Sequence, residues 1–376
     1  MQAISRGSDF PTRDNSPSEA VAVKAEAPYP WIMGPVVDIL FSCGGCLWIM
    51  TFMTLGLGSK DWSSPPAQFC WYFAIIANLT LANSHAPATL YRVYTNPKLY
   101  STIGRTSNIL AVVLGITMIV AMLNPVIAIF LWKIFTFWII QHYLAQSYGI
   151  TLLYCFKRGY YLNNKEKELL HWLFRCTLIY AVLAMLTYKE YGSMSFGGLE
   201  LPFWGPIPEP IFLAWRVVLQ LSVAAFAVVI LRKYMREKKA FPFPALLTLT
   251  TAVVLYASLA AYNNLMMMFL PAFLHGAQYL VITGAYYIKE QDLLKGESFH
   301  KIGSKMRTRS FLKWFTIIFS IGLFVWVLLP GMLVKLGLAY GLTIISIQAC
   351  HGFHHFALDM FIWRLRDPEL RKLLIA

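Results

Sequence analysis

Long apolar runs alternate along this chain with short basic ones. Runs such as 109–129 and 311–334 are apolar on every helical face, and each is long enough to cross a hydrocarbon layer of about 30 Å. They lack the two-residue alternation of a membrane β-barrel. The pattern predicts ten helical spans, at 31–57, 66–91, 107–124, 127–156, 170–187, 210–231, 242–261, 265–288, 311–334 and 337–363. Asn124-Pro125, Asn263-Asn264 and Leu329-Pro330-Gly331 mark three of the breaks between them.

Charge fixes the direction of these spans. Arg92, Lys98 and Arg105 fall in one connection, and Lys157, Arg158, Lys165 and Lys167 in another. Further basic groups occupy 232–240, 289–310 and the C-terminal tail. The alternate connections, near 58–65, 125, 188–209, 263 and 335, carry one lysine each or none. Basic loops stay on the cytoplasmic side, so ten spans with both termini cytoplasmic account for all of them. The fold class expected is an all-α polytopic membrane protein. Residues 1–29 read as a disordered cytoplasmic tail, 30–364 as the transmembrane domain and 365–376 as a second cytoplasmic tail. A bacterial inner membrane, or another energy-transducing membrane, is the expected location.

Composition agrees. Only 13% of residues are charged, about half the share in a soluble domain, and the mean hydropathy is +0.56. The net charge of +14 resides in the loops, so a nucleic-acid partner is not expected. The segment 189–209 is rich in Gly, Pro and aromatic residues, which suits a cap at the membrane interface or a re-entrant piece. Lys133, near the outer end of its span, is expected to extend its amine to the interface.

Besides His171 at the edge of one span, six histidines fall within the predicted spans: His85, His142, His275, His351, His354 and His355. Ionisable groups at such depth are kept for binding or proton movement. His142 stands 14 residues before Phe156, His275 14 before Lys289, and His351 13 before Arg364. At 1.5 Å per residue each lies roughly 20 Å above the inner end of its helix, in one layer. His351, His355 and Asp359 repeat at intervals of four and form a stripe on one helix face. Gln146 and Gln278 share helix faces with His142 and His275, where an amide could orient an imidazole or donate to a bound oxygen. Pro87 follows His85 and loosens the backbone there.

The box His351-Gly352-Phe353-His354-His355 resembles the HxxHH box of membrane fatty-acid desaturases and hydroxylases. The run His142-Tyr143-Leu144-Ala145-Gln146 is similar to their HxxxH box, with glutamine in the last place. Single histidines spread over several spans also resemble the layout of bacterial integral-membrane carotene dioxygenases, which implies one iron held by histidines from separate helices. Both likenesses belong to histidine-rich membrane metal oxygenases.

The function expected is therefore that of an iron-dependent oxidoreductase, an oxygenase, desaturase or hydroxylase, acting on a lipidic substrate within the bilayer. His142, His275, His351 and His355 are the expected ligands of a mono- or dinuclear iron site, with His354 and His85 next in line. Asp359 is expected as a hydrogen-bond acceptor or proton carrier, and Gln146, Gln278 and Tyr143 as groups that position oxygen or substrate. The partners would be a membrane lipid or other hydrophobic substrate and an electron-donor protein. A proton- or metal-coupled transporter and a b-type haem protein are the alternatives.

Overall fold

The computed structural model of the chain describes residues 30–52, 65–258, 265–295, 302–363 and 373. The expected N-terminal tail, nearly all of the C-terminal one and the break at Asn263-Asn264 lie outside these residues.

The described chain is helical apart from one small hairpin. In chain order the helices are α1 (35–42), α2 (Gly45–Thr51), α3 (65–95), α4 (Pro97–Leu123), α5 (Pro125–Lys157), α6 (Asn164–Thr187) and the short α7 (Lys189–Gly192). Strands β1 (Met194–Phe196) and β2 (Leu199–Leu201) pair antiparallel. There follow α8 (Glu209–Glu237), α9 (Phe243–Ser258), α10 (Leu265–Lys295), α11 (Arg309–Lys335) and α12 (Tyr340–Ile362). The helix starts have local causes. Asn124 accepts from the Val126 and Ile127 amides ahead of α5, with Pro125 at the first helical position. Asn163 and Glu166 close a capping box on α6.

Five of these helices, α4, α5, α6, α8 and α11, are long and apolar enough to cross a membrane. That is fewer than the ten expected, although a helical segment occupies each predicted span. The shortfall has physical reasons. The first span is interrupted at Gly44, which adopts a left-handed conformation with φ 82°. Helix α9 is short at 16 residues. Helices α3, α10 and α12 carry the buried histidines and their polar neighbours, which dilute their apolar character. The outer helices show the opposite pattern. In α4, α8 and α11 only 17% of the most apolar stretch is buried inside the protein. On α4 alone, Ile109, Val112, Val113, Ile116 and Ile119 are exposed. An apolar surface of this extent is compatible with a multi-pass membrane protein.

Small residues let the inner helices meet closely. A methyl group at Gly276 of α10 would overlap the Ala82 backbone of α3. One at Gly352 of α12 would overlap the Phe135 ring of α5. The hairpin lies against the start of α12, with Gly197 beside Tyr340 and Gly341. Lys133 departs from expectation. It is buried, and its amine donates to the Gly192 carbonyl at 2.5 Å, so it ties α5 to the cap rather than reaching outward.

Candidate metal centre

Helix α3 widens into a π-turn over Asn78–Ala82, immediately before His85. Such turns shift the faces of a helix and recur at functional positions. Here the widened turn is where Gly276 of α10 makes its close approach, and His275 is its neighbour in sequence. The close crossing brings His85 and His275 together.

Four imidazoles from four helices then face one another. The ring centroids of His85 and His275 are 4.7 Å apart, and those of His85 and His355 are 4.6 Å apart. His142 lies 4.8 Å from His275 and 5.2 Å from His355. The His275–His355 separation, across the ring of four, is 6.1 Å. A nitrogen ligand about 2.1 Å from an ion sets its ring centroid about 3.2 Å away, so rings on one ion lie about 4.5 Å apart when cis and about 6.4 Å when trans. The observed spacings fall between these two values. Ligand atoms of His85, His275 and His355 all lie within 4.8 Å of one another, as do those of His142, His355 and Asp359.

The hydrogen bonds fix which nitrogens are free. His85 Nδ1 contacts the Ala82 carbonyl oxygen, which can only accept, so Nδ1 holds the proton and the Nε2 lone pair is left for a ligand. Thr89 donates to Asp359 Oδ1 at 3.0 Å, and Tyr279 donates to the same oxygen at 2.8 Å. With its hydrogen so placed, Thr89 accepts from His355 Nδ1 at 2.9 Å. Trp363 Nε1 extends the chain by donating to Tyr279 at 3.0 Å. His142 Nε2, His355 Nε2 and both nitrogens of His275 are buried with no hydrogen-bond partner. Buried polar atoms are ordinarily satisfied, and four orphaned nitrogens in one place could serve as ligands to a metal ion. Asp359 Oδ2 completes it, at 3.4 Å from His355 Nε2 and 3.7 Å from His142 Nε2.

Aromatic faces enclose the centre. Tyr143 stacks on His275 with centroids 4.2 Å apart, and Phe356 stacks on His142 at the same distance. An apolar cavity of about 230 Å³ opens beside His142 and Asp359, walled by Gly149, Ile150, Leu153 and Ile282.

The other expected site residues are placed differently. His351 is outside both ligand groups, and its ring packs edge-on to Trp326. His355, one turn further along α12, takes the position expected of it. A common depth requires helices that end level at Phe156, Lys289 and Arg364, and they do not: α10 continues past Lys289 to Lys295. His85 sits inside the centre for the same reason, because α3 continues to Thr95. His354 contacts the Ser107 carbonyl of α4 through Nε2 at 3.1 Å and joins neither group. Gln278 is spent on structure: its amide donates to the Ser42 carbonyl and accepts from Gln146 and Ser147. Gln146 also donates to the His275 carbonyl, so it holds the backbone behind that ligand. Thr89, Tyr279 and Trp363 went unnoticed in the sequence. A signal was present: His85 and Thr89, His275 and Tyr279, and His355 and Asp359 are each four residues apart. A second polar layer thus lies one helical turn below the imidazoles. Comparison with known protein families, curated proteins and solved structures finds no match to the chain.

Proposed function

We propose that the chain is a membrane-embedded, iron-dependent oxidoreductase acting on a lipidic substrate. The observation that carries this reading is the set of four facing imidazoles, three of which, His142, His275 and His355, have buried nitrogens with no hydrogen-bond partner. Neutral imidazoles with one carboxylate suit Fe(II) and leave room for oxygen. Bound iron would supply the activation of oxygen. His85, His142, His275 and His355 would hold it, with Asp359 Oδ2 as a further ligand. Thr89 and Tyr279 fix Asp359 as an acceptor and keep the proton on His355 Nδ1, which orients its Nε2 inward. Tyr143 and Phe356 cover the faces of the His275 and His142 rings and keep water from them. The apolar cavity beside His142 suits a chain-like substrate, whether fatty acyl, carotenoid or isoprenoid. Electrons would come from a donor protein on the cytoplasmic side.

Membrane topology belongs to the same proposal: ten spans, both termini cytoplasmic, in a bacterial inner or other energy-transducing membrane. The one-sided distribution of basic loops supports it. Two alternatives fare less well. A proton path needs a succession of acidic groups, and Asp359 is the acid that faces the histidines. A porphyrin ligated axially by His275 and His355 would need the plane that the His85 and His142 rings fill.

The test is to load full-length protein with Fe(II) anaerobically, admit oxygen with a reductant and a total lipid extract, and follow lipid masses. Products that gain oxygen or lose hydrogen, formed by the wild type and not by His355→Ala, are the expected result. Proton flux in liposomes without any change in lipid would overturn the proposal in favour of transport.

A further inference from the structure

A second cavity, of about 410 Å³, lies between α3, α10 and α11 at the junction of α3 with α4. Its polar wall is made by Arg92, Thr95, Asn96, Thr283, Glu290 and Gln291. Arg92 is held in an unusual way. Its guanidinium stacks between the Tyr286 ring, at 3.9 Å, and the Trp363 ring, at 4.3 Å. Nε and Nη1 are buried and have no hydrogen-bond acceptor. No carboxylate among the described residues lies within ion-pair distance of it. Glu290, on the same wall, instead accepts from Asn96 Nδ2 at 3.2 Å. Ring faces attract a cation, but they return only part of what a guanidinium loses on leaving water. Helix dipoles add little here, because α3 ends and α4 begins at the same place. The cavity therefore holds a rigid planar cation that makes no hydrogen bond to a carboxylate among the described residues, with Glu290 and Asp359 acting on it only through space.

We propose that this cavity binds an oxyanion through Arg92, and that the oxyanion is a phosphate, either a lipid head group or free phosphate. The guanidinium fork matches two phosphate oxygens, and its two flanking rings fix its plane in advance. The amide N–H groups of Asn96 and Gln291 face the same space as donors for the remaining oxygens. Glu290 carries the same sign as the ligand and holds the affinity down. The site shares Trp363 with the hydrogen-bond layer beneath the imidazoles, but it does not depend on an ion there.

Calorimetric titration of the full-length protein in detergent tests this, with inorganic phosphate and dihexanoyl phosphatidic acid as probes. Saturable binding is expected to weaken by at least about tenfold in Arg92→Gln, in line with loss of a charge-assisted hydrogen bond. Arg92→Lys should recover part of it, and Glu290→Gln should bind more tightly than wild type. Glu290→Gln leaves the stacked guanidinium intact, so this arm holds even where Arg92→Gln fails to fold. Binding of phosphatidic acid alone assigns the lipid head group, and equal binding of both probes assigns free phosphate; either result upholds the site. Absence of saturable binding, or equal affinity in wild type and both charge variants, would overturn it.

Discussion

His354 and His355 are neighbours on α12 and are both buried, yet they belong to different regions of the molecule. On the side facing α4, His354 has its Nε2 against the Ser107 carbonyl. That is an ordinary contact between membrane helices, worth about 0.6 kcal/mol and at most about 2. Towards α3, α5 and α10, His355 anchors Nδ1 on Thr89 and leaves Nε2 buried with no hydrogen-bond partner, among three other imidazoles. The difference shows that depth and residue type do not define a site. What defines it is whether the protein itself satisfies the polar atom.

Variants can break or sharpen this contrast. The largest effect is expected from His275→Ala, which removes a ligand with no other hydrogen-bonding role. Metal affinity, read by chelator competition, should fall by more than about a hundredfold, since loss of an outer partner alone costs about 10- to 100-fold. Asp359→Asn comes next. It keeps the shape but removes the charge beside His142 and His355, and should cost up to about a hundredfold in affinity, with a shift in the metal's electronic spectrum. Thr89→Val leaves the His355 Nδ1 hydrogen without its acceptor; about tenfold weaker binding is expected, with the helix content by circular dichroism unchanged. His354→Ala should do least. A loss of about 0.6–2 kcal/mol in stability, measured by thermal melting in detergent, with metal affinity unaltered, would keep the two histidines distinct.

Much of the fold was legible from hydropathy and charge. A helix occupies every predicted span, because apolar runs of this length leave the backbone few other ways to satisfy its hydrogen bonds. Less legible was how far each helix continues. Asn96 and Pro97 end α3 one turn beyond Tyr91, and α10 continues past Lys289, so helices drawn level at their expected ends are offset by about a turn. That offset leaves His351 out, keeps His355, which was already expected as a ligand, and moves His85 from the margin into the centre. The roles of Gln146 and Gln278 were hidden for another reason. Spacing puts an amide on the histidine's helix face, but Ser42 and Ser147, which engage Gln278, come from other helices. The layer of Thr89, Tyr279 and Asp359 was readable as a repeated interval of four residues. Its hydrogen bonds, which join three helices, were not.

The most direct test of the account is the metal content of purified full-length protein by elemental mass spectrometry, with His355→Ala and His354→Ala prepared in parallel. The account predicts one ion per chain in the wild type, iron after growth in iron-replete medium, retained in His354→Ala and lost in His355→Ala. A metal-free wild type, or metal retained undiminished in His355→Ala, would contradict it.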